Sequence, residues 1–267
     1  MISLAFEKIF SYTEASEFKK GLSVIRVSDH SEALHFFLLV LHQRIDKPPL
    51  ENPGLIADIC MVARKYEVPR VEARMKEQLT ASSSLVEKPL CVYAIAKALG
   101  WDDVAKVAAK NTLNIPLEDV MTCIPELGRI TGGDLYRLLK YRRKCEEVAC
   151  NAVKNDPLHR TYGPMLMSGV GNHGNGSFVR ASINFEKELK ACPRGSTYTK
   201  SYDRLFEDLK SRQLFQTFPV RDIANIVQCR KHVAQAIEEG IDKVVFASAL
   251  SMSAIKKTDS DLQVTIE

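Results

Sequence analysis

The sequence predicts a mainly α-helical fold, and three observations support that prediction. Apolar residues recur at the spacing of a helix through most of the chain, for example at Ala94, Ala98 and Leu99. Residue types that favour a helix start, such as Asn, Thr and Pro, stand directly before several of these stretches. Val24–Val27 alone is typical of a β-strand. With 267 residues, 45% of them hydrophobic, the chain can bury a sizeable core in one or two domains.

In chain order, the first predicted elements are a helix over residues 2–10, the strand Val24–Val27 and a helix that ends at Leu41. The strand cannot satisfy its backbone hydrogen bonds alone, so it needs a neighbour. If no upstream strand supplies one, its edge can pair with another chain. Asp29 and Glu32 have the spacing of a capping box, which starts the helix that follows.

This helix is apolar on nearly every side. Its inward stripe is expected to contain Leu34, Phe37, Leu38 and Leu41. The residues outside that stripe include Phe36, Leu39 and Val40, which are apolar as well. A helix of this kind needs cover on more than one side.

Start signals mark the helices farther along the chain. Asn52 caps a helix whose first residue is a proline, and Pro69 begins another. Gly100, which can adopt a positive φ, joins a pair of short helices. Thr131 and Asp134 form a second capping box at the start of a long helix. The predicted ranges are 53–67, 69–79, a pair within 89–113, 117–121 and 131–154.

The composition changes after the long helix, because residues 155–176 contain two prolines and five glycines, which is typical of a linker. Helical patterns return at Phe185 with Leu189, around residues 205–209 and from Pro219 onward. The predicted domains are a partial core (1–80), a helical extension (81–155), a linker (156–180), a carboxyl-terminal helical region (181–250) and a flexible tail (251–267).

The charge and the cysteine content limit the classes of partner and the cellular compartment that we expect. The 37 Lys and Arg and 33 Asp and Glu are spread along the chain, which is too even to indicate a nucleic-acid or membrane partner. The longest apolar run, residues 33–42, is shorter than the roughly 20 residues that cross a bilayer, and the first ten residues do not resemble a secretory signal. Seven cysteines without a CxxC pair suit a reducing compartment, so we expect the cytoplasm or the nucleus.

No catalytic residue, cofactor site or metal site is predicted. Gly169, Gly171 and Gly174 satisfy GxGxxG, but no strand and helix alternate after them as a nucleotide-binding fold requires. The histidines on or beside the helix that ends at Leu41 are five and seven residues apart, so no two of them have the i, i+4 spacing at which histidines of one helix bind zinc. A thiol enzyme needs a Cys beside a His in space, and sequence alone does not decide that. An enzyme that uses the carboxyl-terminal region is a further alternative, which a pocket with convergent His, Cys or acidic groups would indicate.

The densest basic run is Lys140–Lys144. It supports an alternative function, a nucleic-acid-associated transcription regulator that uses this face. The helix pair at Gly100 is not suited to bind DNA, because Asp102 and Asp103 are negatively charged and stand at the start of its second helix. At that position they stabilise the helix by interaction with its dipole. The charge pattern favours a solvated helix face, so nucleic acid is the less favoured partner.

Three ordered blocks carry a family resemblance. They are IADICMVARKYEVPRVEARMKEQL (56–79), PLCVYAIAKALGWDDVAKVAAKNTL (89–113) and IPELGRITGGDLYRLLKYRRKC (124–145). Together they resemble the BTB/POZ-domain proteins of mushroom-forming fungi, whose final core helices, helical extension and GGDxYRLLxYRR signature they match. Upstream, SVIRVSDHSEALHFFLLVLH resembles the last core strand of the family and the helix after it.

The resemblance implies a truncated BTB/POZ core with one or few short strands, followed by a helical-hairpin extension and carboxyl-terminal helices. LAFEKIFS already resembles the second helix of the family, so we expect the chain to lack the first hairpin and the first helix. The family implies a non-catalytic adaptor that associates with like or unlike BTB chains. Some of its members recruit targets to cullin-type ubiquitin ligases.

A candidate protein-interaction surface follows from these expectations. In the family, dimers form largely through the first hairpin and helix, so the usual homodimer is not expected here. The strand without a neighbour and the all-round apolar helix are left to be covered. The candidate surface consists of Val24, Ile25, Val27, Phe36, Leu39 and Val40.

Overall fold

The computed structural model describes residues 17–24, 26–44, 52–120, 124–156, 160, 185–211 and 220–246. These residues are mainly α-helical, so the predicted fold class is confirmed. The predicted helix over residues 2–10, most of the predicted linker and the predicted tail lie outside the described residues. None of the helices in this described part has the length and the apolar composition that crossing a bilayer requires.

The elements have the following order along the chain. The strands are β1 (Glu17–Lys19) and β2 (Leu22–Val24). The helices of the amino-terminal half are α1 (Ser31–Leu41), α2 (Pro53–Lys65), α3 (Pro69–Ala81), α4 (Ser84–Glu87), α5 (Pro89–Ala98), α6 (Asp102–Thr112) and α7 (Leu117–Val120). After a 3-10 helix at Pro125–Arg129 come α8 (Gly132–Asn155), α9 (residues 185–191), α10 (Gly195–Ser211) and α11 (Val220–Asp242).

The chain divides into two compact units. The first comprises Met1–Asn111 with Cys123–Ile130, and the second comprises Thr112–Thr122 with Thr131–Glu267. The first unit therefore joins α4 and α5, which the sequence assigned to the extension, to the helices assigned to the partial core. The domain limits given by the sequence stay a prediction.

The helix α2 is the centre of the first unit. It packs against α1, α3 and α5, and nine of its 13 residues are buried. The Asn52 side chain accepts a hydrogen bond from the Gly54 N–H at 3.0 Å, which confirms the predicted cap. Helix α5 is buried from Pro89 to Ala96, so these two helices supply about half of the buried apolar residues of the unit.

A single carboxylate ties three segments of the first unit together. Glu72 of α3 accepts hydrogen bonds from the Arg64 guanidinium of α2 and from the Trp101 indole N–H, the latter at 3.0 Å. The same guanidinium donates to the Leu99 carbonyl at the end of α5. The hydrogen bond from Arg64 is the main reason why the pKa of Glu72 lies below its ordinary value. We call this group the Glu72 clasp.

The turn between α5 and α6 has the geometry that the sequence predicts. Gly100 has φ of +72°, in the left-handed region. Its N–H donates to the Lys97 carbonyl, and the Trp101 N–H donates to the Ala96 carbonyl at 2.8 Å. These two bonds define a Schellman motif, which satisfies carbonyls at the end of α5 and delivers Trp101 to the Glu72 clasp.

In the second unit, α8 and α11 form the longest helix pair. The predicted capping box is confirmed, because the Thr131 hydroxyl accepts from the Asp134 N–H at 3.1 Å and the Asp134 carboxylate accepts from the Thr131 N–H at 3.2 Å. Helix α11 packs against both α8 and α10. Phe185 of α9 contacts the rings of Tyr198 and Tyr202 of α10, with centroids 5.3 and 5.9 Å away.

Two glycines allow α11 to approach its neighbours. A Cβ on Gly195, the first residue of α10, would lie 2.4 Å from the Ala234 carbonyl oxygen of α11. A Cβ on Gly240 of α11 would lie 2.5 Å from a methyl group of Val148 on α8. The first obstacle is backbone and the second is a side chain that can rotate, so Gly195 is the more restricted position.

The substitution Gly195→Ala is expected to lower the free energy of unfolding by about 1–3 kcal/mol, because α10 must move away from α11. Urea denaturation followed by circular dichroism measures this change. Gly133→Ala is the matched control in the same unit, since the nearest heavy atom to its added Cβ is the Thr131 hydroxyl at an ordinary 3.5 Å. Equal stability of the two variants would contradict the close approach.

Candidate functional site

The predicted strand lies two residues earlier than expected and is already paired. Strand β2 is antiparallel to β1, with Phe18 opposite Ser23 and Lys19 opposite Leu22. Lys20 and Gly21 between them have φ of 54° and 77°, as a type I′ turn requires at both central positions. The prediction of a strand without a neighbour in this chain is therefore wrong, because β1 supplies the pairing.

The hairpin nevertheless exposes large apolar side chains. The exposed fractions are 69% for Phe18, 73% for Leu22 and 41% for Val27 just beyond β2. Side chains alternate between the faces of a strand, and Lys19 lies opposite Leu22, so Phe18 and Leu22 belong to opposite faces of the ribbon. We call Phe18, Leu22 and Val27 the hairpin surface.

The residues of the predicted interaction surface differ in their exposure. Val27 is exposed, Val24, Phe36 and Leu39 are half-buried, Val40 is only 4% exposed, and Ile25 lies outside the described residues. Val40 therefore belongs to the core of the first unit. Phe18 and Leu22 were not predicted, and the one sequence signal for their hairpin is Gly21, a residue type that readily adopts the positive φ of a tight turn.

The stripe of α1 that faces the core differs from the predicted stripe. The buried residues are Ala33, Phe37 and Val40, and the Phe37 ring stacks on Tyr66 with centroids 5.9 Å apart. Of the predicted stripe, Phe37 is buried, whereas Leu34, Leu38 and Leu41 are half-buried. Because α1 is apolar on nearly every side, its own periodicity does not decide its orientation, and the contact with Tyr66 does.

The capping box predicted at Asp29 and Glu32 is wrong. Helix α1 has His30 at its cap position, with no side-chain hydrogen bond to the helix. The Asp29 carboxylate is used elsewhere: it accepts from the Lys65 ammonium at 2.8 Å and from the Tyr66 hydroxyl at 2.6 Å. Asp29 thereby fixes the segment between the hairpin and α1 to the end of α2.

The electrostatics of Asp29 follow from these contacts. Partial burial raises the pKa of a carboxyl group, but the hydrogen bonds from Lys65 and Tyr66 outweigh that effect and hold the pKa of Asp29 below its ordinary value. Burial, together with the bond to Asp29, raises the pKa of the Tyr66 hydroxyl to about 12. The carboxylate is therefore charged and the phenol neutral at physiological pH.

The basic run Lys140–Lys144 is not a uniformly solvated face. Lys140, Arg143 and Lys144 are exposed, but Tyr141 and Arg142 are buried. Of the exposed cations, Arg143 is paired with Glu147 at 3.6 Å, and the Lys140 ammonium lies 6.0 Å from the centre of the Tyr136 ring. The nucleic-acid alternative therefore has fewer cations available than the sequence indicates.

Arg142 is a buried cation held by backbone carbonyls. Its guanidinium donates to the carbonyls of Thr112, Ile115 and Ala191, at 2.9 Å for Ile115 and 3.0 Å for Ala191. Thr112 is the last residue of α6 and Ala191 the last of α9, so Arg142 meets two helix ends, where carbonyls lack helical partners and the dipole is negative. Burial lowers the pKa of Arg142, and these carbonyls compensate part of that cost.

The inward position of Arg142 could have been found in the sequence. Leu138, Arg142, Cys145 and Ala149 are spaced four, three and four residues apart, which is one helical face. The other three are apolar and buried. The density of positive charge around Arg142 concealed this pattern, because a run of cations is usually a solvated face.

A cysteine, a histidine and an aspartate meet in the second unit. The Cys229 thiol donates to the Asp156 carboxylate at 3.5 Å, and Nδ1 of His232 lies 2.8 Å from its other oxygen. A nucleophilic cysteine needs a lowered pKa and access to substrate. Cys229 is 3% exposed, and burial together with Asp156 raises its pKa to about 12. This thiol is therefore protonated at neutral pH, and the cluster fixes the end of α8 to α11.

Comparisons with known proteins do not add a family. A scan against protein-family models, a search of curated proteins and a search of solved structures found no match to this chain. Within the described ranges, no three His, Cys, Asp or Glu side chains are grouped so that they could hold a metal ion.

Lowering the pH is expected to destabilise the wild type more than the variant Asp29→Asn. The folded pKa of Asp29 is lowered, so its contribution is present above the unfolded pKa and is lost as the pH falls through the folded value. Between neutral pH and about pH 3, the wild type should lose about 1 kcal/mol more unfolding free energy than Asp29→Asn. Urea titrations at several pH values measure the difference, with Glu32→Gln as the control. Parallel pH profiles for wild type and Asp29→Asn would refute the role of Asp29.

Arg142→Met is expected to lower the free energy of unfolding by about 3 kcal/mol, because three carbonyls lose their donor inside the second unit. The matched control, Arg143→Met, removes an exposed cation from the neighbouring position and should change stability by no more than about 0.5 kcal/mol. Urea denaturation midpoints of the two variants test this contrast. Comparable losses for both would show that Arg142 has no special structural role.

Proposed function

We propose that this chain is a non-catalytic protein-interaction module, an adaptor of the BTB/POZ type, and that the hairpin surface is part of its interface. The observation that carries the proposal is the exposure of Phe18 and Leu22 on a two-stranded ribbon. Large apolar groups gain free energy when a partner removes them from water. An isolated two-stranded hairpin is only marginally stable, so association also stabilises the ribbon itself.

The arrangement of helices supports the family part of the proposal. The blocks that resemble BTB/POZ proteins fall on α2 with α3, on the α5 and α6 pair, and on the start of α8. Strand β2 and the helix α1 fall close to where the resemblance expects the last core strand and the next helix. These correspondences are those expected of a BTB core with a helical extension.

The same proposal names the partners and the compartment. The partners are other proteins: a second BTB-type chain, alike or different, or a cullin-type ligase subunit. The cytoplasm or the nucleus is the proposed compartment. None of the six described cysteines is in a disulfide, which suits a reducing compartment.

The double variant Phe18→Ser with Leu22→Ser should weaken association by about tenfold or more, because it removes two apolar anchors at once. Light scattering on the full chain, from low micromolar to submillimolar concentration, measures self-association. Calorimetric titration with the amino-terminal domain of a cullin measures the second kind of contact. At least one of the two should show binding by the wild type.

Val86→Ser is the matched control, because Val86 is 65% exposed on α4 of the same unit but lies outside the hairpin surface. It should bind as the wild type does. A chain that stays monomeric at every concentration and does not bind the cullin domain would overturn both self-association and cullin contact as functions of the adaptor. Equal weakening by Val86→Ser would instead remove the hairpin surface from the interface.

A further inference from the structure

A cavity of about 550 Å³ opens on the second unit, between α7, α8 and the end of α9. Its apolar wall is formed by Leu117, Leu139 and Pro193. The volume lies within the range of roughly 300–1,000 Å³ that is usual for small-molecule sites. None of the three residues of the hairpin surface contributes to it.

The charged residues around the cavity are mostly cationic. Arg142, Arg143 and Lys190 line it together with one carboxylate, Glu146. Arg142 is preorganised, because the carbonyls of Ile115 and Ala191 fix its guanidinium from behind. Arg142 is 4% exposed, so it adds a fixed positive charge to the wall of the cavity, and direct contact with a ligand comes from Arg143 and Lys190.

The other two cations can change partners. Arg143 faces Glu147 at 3.6 Å and Lys190 faces Glu186 at 3.2 Å, and all four side chains are largely exposed. Exposed pairs of this kind contribute at most about 1 kcal/mol. An anion in the cavity can therefore draw on both charges while its apolar part covers Leu117 and Leu139.

We propose that this cavity binds a small molecule that carries one carboxylate or phosphate on an apolar body. Arg143 and Lys190 bind the anionic head, the fixed charge of Arg142 favours that head, and the apolar wall binds the body. Glu146 is the single group that opposes the head. The site is independent of the proposed adaptor function.

Calorimetric titrations of the full chain test the proposal with four probes, all below their aggregation limits. Octyl phosphate and octanoate combine an apolar body with an anionic head, inorganic phosphate is the head alone, and octan-1-ol is the body alone. At least one of the two combined probes should bind about tenfold or more tightly than either part. The tighter of the two identifies the head group. Equal binding of octan-1-ol, or no binding of either combined probe, would overturn the proposal.

Variants at the rim give effects of opposite sign. Glu146→Gln should tighten binding of the better probe roughly threefold, and Lys190→Gln should weaken it by a similar factor. Lys187→Gln is the control, because Lys187 is exposed on the same helix α9 but does not line the cavity. A merely structural effect would not tighten binding. If Glu146→Gln and Lys190→Gln both match Lys187→Gln, the proposed site is wrong.

Discussion

The first unit depends most on the hydrogen bonds that the Glu72 carboxylate accepts. It receives the Arg64 guanidinium and the Trp101 indole at the same time, and Arg64 also reaches the end of α5. Apolar burial holds α2 and α5 together, but such burial is not directional. Charge-assisted hydrogen bonds demand a particular geometry, so the clasp sets how α3 and the α5–α6 turn are placed around α2.

In the second unit a cation, rather than a carboxylate, holds separate chain segments together. Arg142 is buried, and the bonds described for it go to backbone carbonyls rather than to a carboxylate. Helix ends leave carbonyls without partners, and a buried carbonyl without a donor is costly. One guanidinium donates to three of these carbonyls, so a single side chain satisfies backbone acceptors in two chain segments. The energy of this arrangement comes from satisfied carbonyls as much as from charge.

Local signals in the sequence predicted local structure well. The Asn52 cap, the Thr131 capping box and the positive φ of Gly100 each depend on a few neighbouring residues, and each is present. Asp29 has similar spacing, yet its carboxylate binds Lys65 and Tyr66, which are 36 and 37 residues away. The burial of Arg142 was not predicted for the same reason, because the carbonyls that accept its hydrogen bonds come from segments that are distant along the chain. The site was only partly predictable, since exposure of Phe18 and Leu22 depends on what the rest of the chain leaves uncovered.

The hairpin has a consequence for the shape of any partner. Phe18 and Leu22 are on opposite faces of a ribbon that is only two strands wide. A flat surface can cover one face and leaves the other in water. Burial of both side chains requires either a cleft that closes around the ribbon or two molecules, one on each side. In the second case the ribbon joins two partner molecules. The complex then contains two partner molecules for each copy of this chain.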